Sequence, residues 1–288
     1  MSDVSVHVVQ AFVEADGQGG NPAGVVIDMD RALSPEQRLA VAGMAGFSET
    51  AFISRSEVSA FRLEFFTPTR QIAHCGHATV ASFGLLAQQG LAAGESSKET
   101  IDGPRRILVD DGRAYMQQLR PTYRQAGEAD FTDVKVLASI SLTEADVDGR
   151  GAILAHNGNG TLLLGVKDRE VLRRLRPDQA AISEITERVE AVCLYVFALD
   201  AMKEGRAATC RMFAPAYGID EEAATGMAAG ALGAWMQDGL GVDRSPLLIE
   251  QGWFMDAPSP SLIEVRLSPD EVLVGGRAAV RETLTVQI

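Results

Sequence analysis

The chain has 288 residues, of which 46% are hydrophobic and 23% are charged. This composition is typical of a folded globular protein rather than a disordered one. The 26 basic and 39 acidic side chains give a formal net charge of −13, and an acidic surface repels the phosphates of nucleic acids. The sequence has no run of about 20 uninterrupted apolar residues that would cross a membrane. Neither a nucleic acid nor a membrane is therefore expected as a partner.

Cysteine usage and the N-terminal sequence bear on the cellular compartment. The three cysteines, Cys75, Cys193 and Cys210, are widely spaced and form no CxxC pair, so a disulfide framework is not expected. The first ten residues lack the basic region and apolar run of a secretory signal. Both observations predict a cytoplasmic protein.

Strand and helix patterns alternate along the first half of the chain. A helix is predicted to start after Ser34, because this serine can cap the first turn, proline is favoured next, and Gln37 completes a capping box. This helix should end near Ala45, and a second, alanine-rich helix should run from the glycine-histidine pair at residues 76–77 to about Gly90. Strands are predicted at residues 5–14, 49–55, 59–66, 105–110 and 113–119, the last two forming a hairpin.

A polar segment between residues 121 and 133 predicts a domain boundary. We assign residues 1–122 to an N-terminal domain, completed by a C-terminal strand at residues 278–288, and residues 123–277 to a C-terminal domain. In the second half, a turn at Gly226 predicts another alanine-rich helix over residues 227–238. Strands are predicted at residues 161–167, 190–199, 208–213, 247–250, 261–267, 271–275 and 278–287.

The two halves share an ordered pattern of residues. In the first half, Phe-Thr-Pro-Thr at residues 66–69 is followed by Gly76, a helix of small residues and a terminal Gly-Leu pair. In the second half, Phe-Ala-Pro-Ala at residues 213–216 is followed by Gly226, a similar helix and another Gly-Leu pair. Helices rich in alanine and glycine can resemble one another by chance, but the shared order favours an internal repeat.

A glycine at each of these helix starts could admit a ligand. The first turn of a helix presents unpaired N–H groups and partial positive charge, and glycine lets a ligand approach the backbone closely. Two such starts would suit a carboxylate or an oxyanion. The acid/base candidates near them are Glu49, Cys75, His77 and Glu222.

Each candidate also has a purely structural interpretation. A glutamate that opens a strand, as Glu49 does, is more often solvated than functional. Cys75 lies among small residues, where a cysteine is usually a packed thiol. His77 is the stronger candidate, because histidine titrates near neutral pH.

Other chemistries have less support in the sequence. His74, Cys75 and His77 suggest zinc, but a zinc site needs three or four protein ligands and no second pair at ligand spacing follows. No metal is therefore expected. A serine hydrolase would need a G-x-S-x-G elbow, and a nucleotide site would need a glycine-rich loop after a strand; the sequence has neither.

Several motifs, taken together, resemble the PhzF family of phenazine-biosynthesis proteins. They span nearly the whole chain in order: Gly20-Asn21-Pro22, Ser48-Glu49-Thr50, Phe66-Thr67-Pro68-Thr69, Cys75-Gly76-His77-Ala78-Thr79, Phe213-Ala214-Pro215-Ala216-Tyr217-Gly218, Ala224-Thr225-Gly226 and Val274-Gly275-Gly276-Arg277-Ala278.

The resemblance implies an α/β (α+β) fold like that of diaminopimelate epimerase, with two pseudo-symmetric domains. Each domain would be a curved, barrel-like sheet around a central helix, with the active site in the cleft between them. Family members of known activity are isomerases that need no cofactor, so none is expected here. The namesake moves a proton within the cyclic diene of a dihydro-hydroxyanthranilate.

The resemblance also implies roles for individual residues. Glu49 falls on the family's proton-shuttling glutamate, and His77 falls on the histidine of the same site. Backbone groups at Gly76 and Gly226 would help to hold the substrate. The other substrate-binding positions expected from these motifs are Asn21, Cys75, Thr225 and Met227.

The second-half motif departs from the family pattern at two positions. The family usually has acidic-Asp-Pro-Ala-Thr-Gly-Ser where this chain has Glu221-Glu222-Ala223-Ala224-Thr225-Gly226-Met227. Glu222, the third catalytic candidate, is one methylene longer than aspartate, and a shift of about 1 Å matters in positioned catalysis. Met227 removes a hydroxyl donor, which costs about 1.5–3 kcal/mol if it bound a carboxylate. A substrate other than the namesake's is therefore expected.

Three functions remain open from the sequence. The favoured hypothesis is a cofactor-independent isomerase or epimerase that moves a proton on a small carboxylate-bearing metabolite, cyclic or amino-acid-like. The alternative is a non-catalytic member that binds a small ligand or a protein, its chemistry lost at Glu222 and Met227. The third is a metal-dependent hydrolase using His74, Cys75 and His77. A homodimer is also expected, because half-open barrels leave edge strands to cover.

Overall fold

A computed structural model describes residues 3–125 and 133–288 of the chain. The chain divides into two compact units, the first comprising residues 1–117 and 275–288 and the second residues 118–274. Most of the polar segment that predicted a domain boundary, residues 126–132, lies outside the described residues.

The first unit consists of strands arranged around a helix. Its elements are β1 (Asp3–Val13), β2 (Asn21–Ile27), α1 (Pro35–Ala45), β3 (Thr50–Ser54), β4 (Phe61–Phe66), β5 (Gln71–Ile72), α2 (Gly76–Gln88), β6 (Gly94–Thr100), β7 (Gly103–Asp110) and β8 (Arg113–Gln118).

The second unit follows with a similar series. Its elements are β9 (Thr122–Gln125), α3 (Asp133–Ser139), β10 (Val147–His156), β11 (Gly160–Val166), α4 (Arg169–Arg173), α5 (Gln179–Arg188), β12 (Ala191–Ala198), β13 (Ala208–Phe213), a short 3-10 helix (Pro215–Tyr217), α6 (Gly226–Leu240), β14 (Leu247–Gln251), β15 (Ser261–Ser268) and β16 (Glu271–Gln287). The C-terminal part of β16 belongs to the first unit.

The strands of the first unit form a closed barrel. Their order is β1-β2-β3-β4-β6-β7-β8-β16, and β16 pairs with β1 to complete the ring. Two neighbouring pairs, β2–β3 and β4–β6, are parallel, and a helix connects each of them, α1 for the first pair and α2 for the second.

The strands of the second unit follow the order β9-β10-β11-β12-β13-β14-β15-β16. Again two neighbouring pairs are parallel, β11–β12 and β13–β14. The chain between the first pair forms α4 and α5, and the chain between the second pair forms α6. The two units therefore repeat one order of strand pairings, which supports the internal repeat predicted from the sequence.

A helix of small residues packs against the strands inside each unit. Helix α2 packs against β1, β2, β3 and β7, and α6 packs against β10, β11, β14 and β15. Glycines allow the close approach, because a Cβ at Gly84 would lie 2.3 Å from the Ala278 Cβ and one at Gly233 would lie 2.8 Å from Val265 Cγ1. The predicted fold class, a mixed α/β fold with barrel-like sheets around helices, is confirmed.

Local predictions can be compared with the elements. The capping box of α1 is confirmed: the Gln37 amide donates to Ser34 Oγ at 3.3 Å, and the Ser34 amide donates to Gln37 Oε1 at 2.9 Å. The helix ends at Ala45, before Gly46 with φ 73°. Within the described residues, no helix combines the length and hydropathy needed to cross a bilayer.

The prediction of separate strands at residues 271–275 and 278–287 is wrong, because β16 is continuous. A Cβ at Gly275 would lie 2.1 Å from the Ala114 carbonyl oxygen, so glycine here permits close approach to another strand.

Candidate active site

Glu49 is positioned by the parallel pairing of β2 with β3. Gly24 of β2 pairs with Thr50, and the Gly24 amide donates to the Glu49 carbonyl at 3.1 Å. A Cβ at Gly24 would lie 2.7 Å from Thr50 Oγ1, so glycine is needed for this register. Glu49 is only 9% exposed, and the expectation of a solvated strand-opening glutamate does not apply to it. Asn21 begins β2 and is also buried.

Cys75 and His77 lie at the start of α2. Cys75 is the N-cap residue in an extended conformation, and helical geometry begins at Gly76. Thr79 stabilises this turn, because its hydroxyl donates to the Cys75 carbonyl at 2.6 Å. Both Cys75 and His77 are buried, and burial raises the pKa of the Cys75 thiol, which therefore stays protonated at neutral pH.

The imidazole of His77 lies between the other two side chains. Its Nε2 is 3.3 Å from Glu49 Oε2, and its Nδ1 is 3.6 Å from Cys75 Sγ. A neutral imidazole can donate from one nitrogen and accept at the other. The row Cys75–His77–Glu49 therefore places a thiol and a carboxylate at opposite nitrogens of one imidazole.

The same three residues are the metal-ligand candidates in the described part of the chain. Glu49, Cys75 and His77 offer one ligand atom each within 4.8 Å of one another. His74, which the sequence suggested for zinc, is not in this group. In the closest contacts, Glu49 lies beside one nitrogen of the His77 ring and Cys75 beside the other. Three protein ligands is the number of a catalytic zinc site with an open position, and a closed tetrahedral centre would need a fourth.

The second unit carries a separate group at the start of α6. Thr225 is the N-cap residue, and its hydroxyl donates to Glu222 Oε2. The Glu222 amide donates to the Met212 carbonyl at 3.2 Å, which ties the turn to β13. Glu222 and Met227 are partly exposed, whereas Thr225 is buried.

Gln251, at the end of β14, holds this turn from inside the unit. Its Nε2 donates to the Glu222 carbonyl at 2.7 Å and to Thr225 Oγ1 at 3.1 Å. Its Oε1 accepts from the Thr225 amide at 3.1 Å and from Tyr195 Oη at 3.0 Å. Gln251 has no exposed surface, so all four bonds lie inside the protein.

Two further amides support the first turn of α6. Gln118 Nε2 donates to the Gly226 carbonyl at 3.1 Å, and Asn157 Nδ2 donates to Gln118 Oε1 at 3.1 Å. Gly230 provides the necessary space, because a Cβ there would lie 2.1 Å from Gln118 Oε1.

The structure thus brings the sequence candidates together in two groups. Glu49, Cys75, Gly76 and His77 form one group in the first unit, and Glu222, Thr225, Gly226 and Met227 form the other in the second unit. Sequence reasoning missed Gln251, Gln118 and Tyr195. Each lies in or at the end of a strand whose pattern predicts only burial or exposure, with no local motif.

The fold is that of a known class of proteins. The profile of the PhzC-PhzF family, described as "Phenazine biosynthesis-like protein", matches residues 9–283. The chain therefore belongs to this family.

Relatives and a solved structure agree with this assignment. An "Uncharacterized isomerase" of Deinococcus radiodurans is 34% identical over 94% of this chain and 91% of its own length. The "Uncharacterized isomerase YfhB" of Bacillus subtilis is 30% identical over the full length of both chains. The crystal structure of a phenazine biosynthesis protein of the PhzF family from Bacillus anthracis superposes with a TM-score of 0.88 at 25% identity, covering both chains completely. Family and relatives together indicate an isomerase.

Proposed function

We propose that this protein is a cofactor-independent isomerase that moves a proton on a small carboxylate-bearing metabolite, cyclic or amino-acid-like. The observation that carries the proposal is the 3.3 Å approach of Glu49 Oε2 to His77 Nε2. Both side chains are largely buried, with exposed fractions of 4% for His77 and 11% for Glu49, and an acid/base pair shielded from water interacts strongly.

The helix starts support a substrate with a carboxylate. In the described residues, the Thr225 side chain does not cap the first turn of α6, and the N-cap residue of α2, Cys75, offers a thiol and no oxygen. Both first turns thus lack a side-chain oxygen as cap, and helix N-termini favour anions. Asn21 and Met227 complete the substrate-binding positions expected from the family.

The proposed reaction moves one proton, either between two carbon positions or, in an epimerisation, from one face of a single carbon to the other. Glu49 accepts the proton from a carbon, and the electron pair of that C–H bond moves into the neighbouring carboxylate or diene. The substrate oxyanion is stabilised by backbone N–H groups. Glu49, or the histidine beside it, then returns a proton to carbon. Glu222 is proposed as the second carboxylate, which positions the substrate or returns the proton.

The experiment is proton exchange followed by NMR in deuterated water. The compounds are the namesake's dihydro-hydroxyanthranilate, cyclic imino acids and α-amino acids. Wild-type protein should incorporate solvent deuterium into at least one of them. E49Q should lose the exchange by a factor of about 10²–10⁴, because the amide cannot accept the proton.

A matched control is E57Q, which changes an exposed glutamate of the same unit and should leave exchange unchanged. Exchange that survives in E49Q contradicts the role of Glu49. Compounds that bind and shift the melting temperature without any exchange in wild type favour the alternative, a non-catalytic binding protein. In that case M227S is the first variant to test for recovered exchange.

The proposal includes the remaining expectations from the sequence, a cytoplasmic location and a homodimer. Light scattering of the purified protein measures the mass of the assembly against 30.7 kDa for one chain.

A further inference from the structure

Lys98 is a buried amine beside the candidate active site that the proposed reaction does not use. It lies in β6 and has no exposed surface. Taking an ammonium group out of water is costly unless hydrogen bonds replace its hydration. A lysine in this position is therefore expected to have polar or aromatic partners around its Nζ.

The Lys98 ammonium has three close neighbours. Nζ donates to Thr79 Oγ1 at 2.6 Å and lies 3.3 Å from His74 Nδ1. It also lies 5.2 Å from the centre of the Phe65 ring, a favourable position for a cation over an aromatic face. These contacts form a small cage of one hydroxyl, one imidazole and one ring.

Burial and nearby charges determine the protonation states of His74 and Lys98, and so the direction of the hydrogen bond between them. Burial, then the charges of Lys98 and Arg105, lowers the pKa of His74 to about 3, so this imidazole is neutral. In the tautomer that carries its proton on Nε2, His74 Nδ1 accepts from the Lys98 ammonium. Burial lowers the pKa of Lys98 itself to about 7, with further influence from Cys75, Arg105 and Asp102. Below about pH 7 most Lys98 side chains are therefore charged ammonium groups, which donate to Thr79 Oγ1 and His74 Nδ1.

The two partners lie on either side of the catalytic sequence. His74 precedes Cys75, and Thr79 lies two residues after His77. Thr79 also donates to the Cys75 carbonyl at 2.6 Å, so one chain of bonds runs from Lys98 through Thr79 to the backbone of the N-cap residue. A single Nζ thus connects the residues before and after the Cys75-Gly76-His77 turn.

We propose that Lys98 is a positioning residue for proton transfer: by binding His74 and Thr79 together it fixes the turn that carries His77 and so holds the imidazole against Glu49. This inference rests on the proposed function for the role of His77. It adds a residue in a polar strand that no motif of the family identifies.

The test compares K98M, of similar length but unable to donate, with K167M, which removes an exposed lysine. T79V is the second variant, since valine keeps the shape of threonine and lacks only the hydroxyl that links Lys98 to Cys75. Two readouts are used: the kinetics of deuterium exchange, and the ring ¹⁵N signals of the four histidines in labelled protein, which report tautomer and hydrogen bonding without substrate.

K98M should lower the exchange turnover at saturating substrate by at least about tenfold, as expected for a displaced acid/base group, while KM changes less than about twofold. The His77 ring signals should shift in K98M and in the same direction, by less, in T79V. K167M should change neither readout. If K98M does not fold, T79V alone carries the test with both readouts.

Wild-type turnover and unchanged His77 signals in K98M and T79V, in a protein where E49Q abolishes exchange, would overturn the role of Lys98 and leave the proposed function intact. If wild type exchanges no compound, the proposed function fails, and the His77 signals still decide whether Lys98 positions the imidazole.

Discussion

The buried Lys98 makes the stability of the first unit depend on pH. Burial lowers the pKa of Lys98 to about 7 in the folded protein, whereas an unfolded lysine titrates near 10.4. Between these values the unfolded chain binds more protons than the folded chain, so the contribution of Lys98 to the free energy of unfolding rises with pH. Below about pH 7 Lys98 is charged in both the folded and the unfolded chain, so the full cost of burying this charge then lowers the free energy of unfolding.

The K98M variant isolates this contribution. Wild type should gain stability relative to K98M as the pH rises from about 7 to about 10, measured as the difference between their urea unfolding free energies. Cys193, Cys210 and the tyrosines titrate in both proteins and cancel in the difference. Cys75 does interact with the Lys98 charge, but burial raises the pKa of its thiol. A difference that stays constant over this range would contradict the pKa shift of Lys98.

The side-chain amide of Gln251, which makes four hydrogen bonds, is expected to contribute strongly to the stability of the turn at Glu222 and Thr225. Q251E keeps the shape but loses both donors, and it places a carboxylate without exposed surface beside Glu222. We expect a loss of more than about 3 kcal/mol of unfolding free energy at pH 8. Protonation restores one donor, so the loss should be smaller at pH 5.

The matched variant is Y195F, which removes one of the two bonds that Gln251 Oε1 accepts. It should cost only about 1 kcal/mol, and urea denaturation of the two variants gives the comparison. If Q251E and Y195F lost equal amounts of unfolding free energy, the hydrogen bonds donated by Gln251 Nε2 would contribute nothing to stability.

At the scale of single elements, α1 depends on its capping box. S34A removes the hydroxyl that accepts from Gln37 N, and we expect a loss of about 1 kcal/mol in unfolding free energy. S34T keeps an oxygen at the cap and should stay close to wild type. A loss in S34T as large as in S34A would mean that something other than the cap bond is being measured.

Elements with local signals were predictable from the sequence. The capping box and the proline placed α1, and the glycine followed by small residues placed α2 and α6, because caps and glycines act within a few residues. Strand β6 shows the opposite case. Its sequence, Gly-Glu-Ser-Ser-Lys-Glu-Thr, is polar and none of the predicted strands included it, whereas Lys98 and Thr100 are buried in it. Only the tertiary partners of Lys98 make that burial tolerable.

The candidate site was predictable only in part, for the same reason. Glu49, Cys75 and His77 belong to short motifs, and the family resemblance named them. The distances that join Glu49 to His77 depend on the pairing of β2 with β3 and on the packing of α2, which involve residues far apart in sequence. Gln251 and Tyr195 act through hydrogen bonds to residues far away in the chain, and a single sequence carries no sign of these bonds.

At the scale of the whole molecule, the repeat is clearer in topology than in sequence. Both units contain two parallel strand pairs, and in each unit the second pair is connected by the small-residue helix. The first connections differ, since α1 is a single helix where the second unit has α4 and α5. The sequence pattern survives only around the buried helices α2 and α6, where space inside the sheet restricts the side chains.

The pairing of β1 with β16 has a consequence for how the chain is made. The barrel of the first unit closes only when residues 3–13 pair with residues 277–287, which are synthesised much later. The second unit, by contrast, is one continuous segment of the chain, residues 118–274. On the ribosome, the part translated second is therefore complete before the part translated first. Until residues 277–287 emerge, the nascent chain presents an open β1 edge, so the late stage of synthesis is the one at which it is most exposed to aggregation.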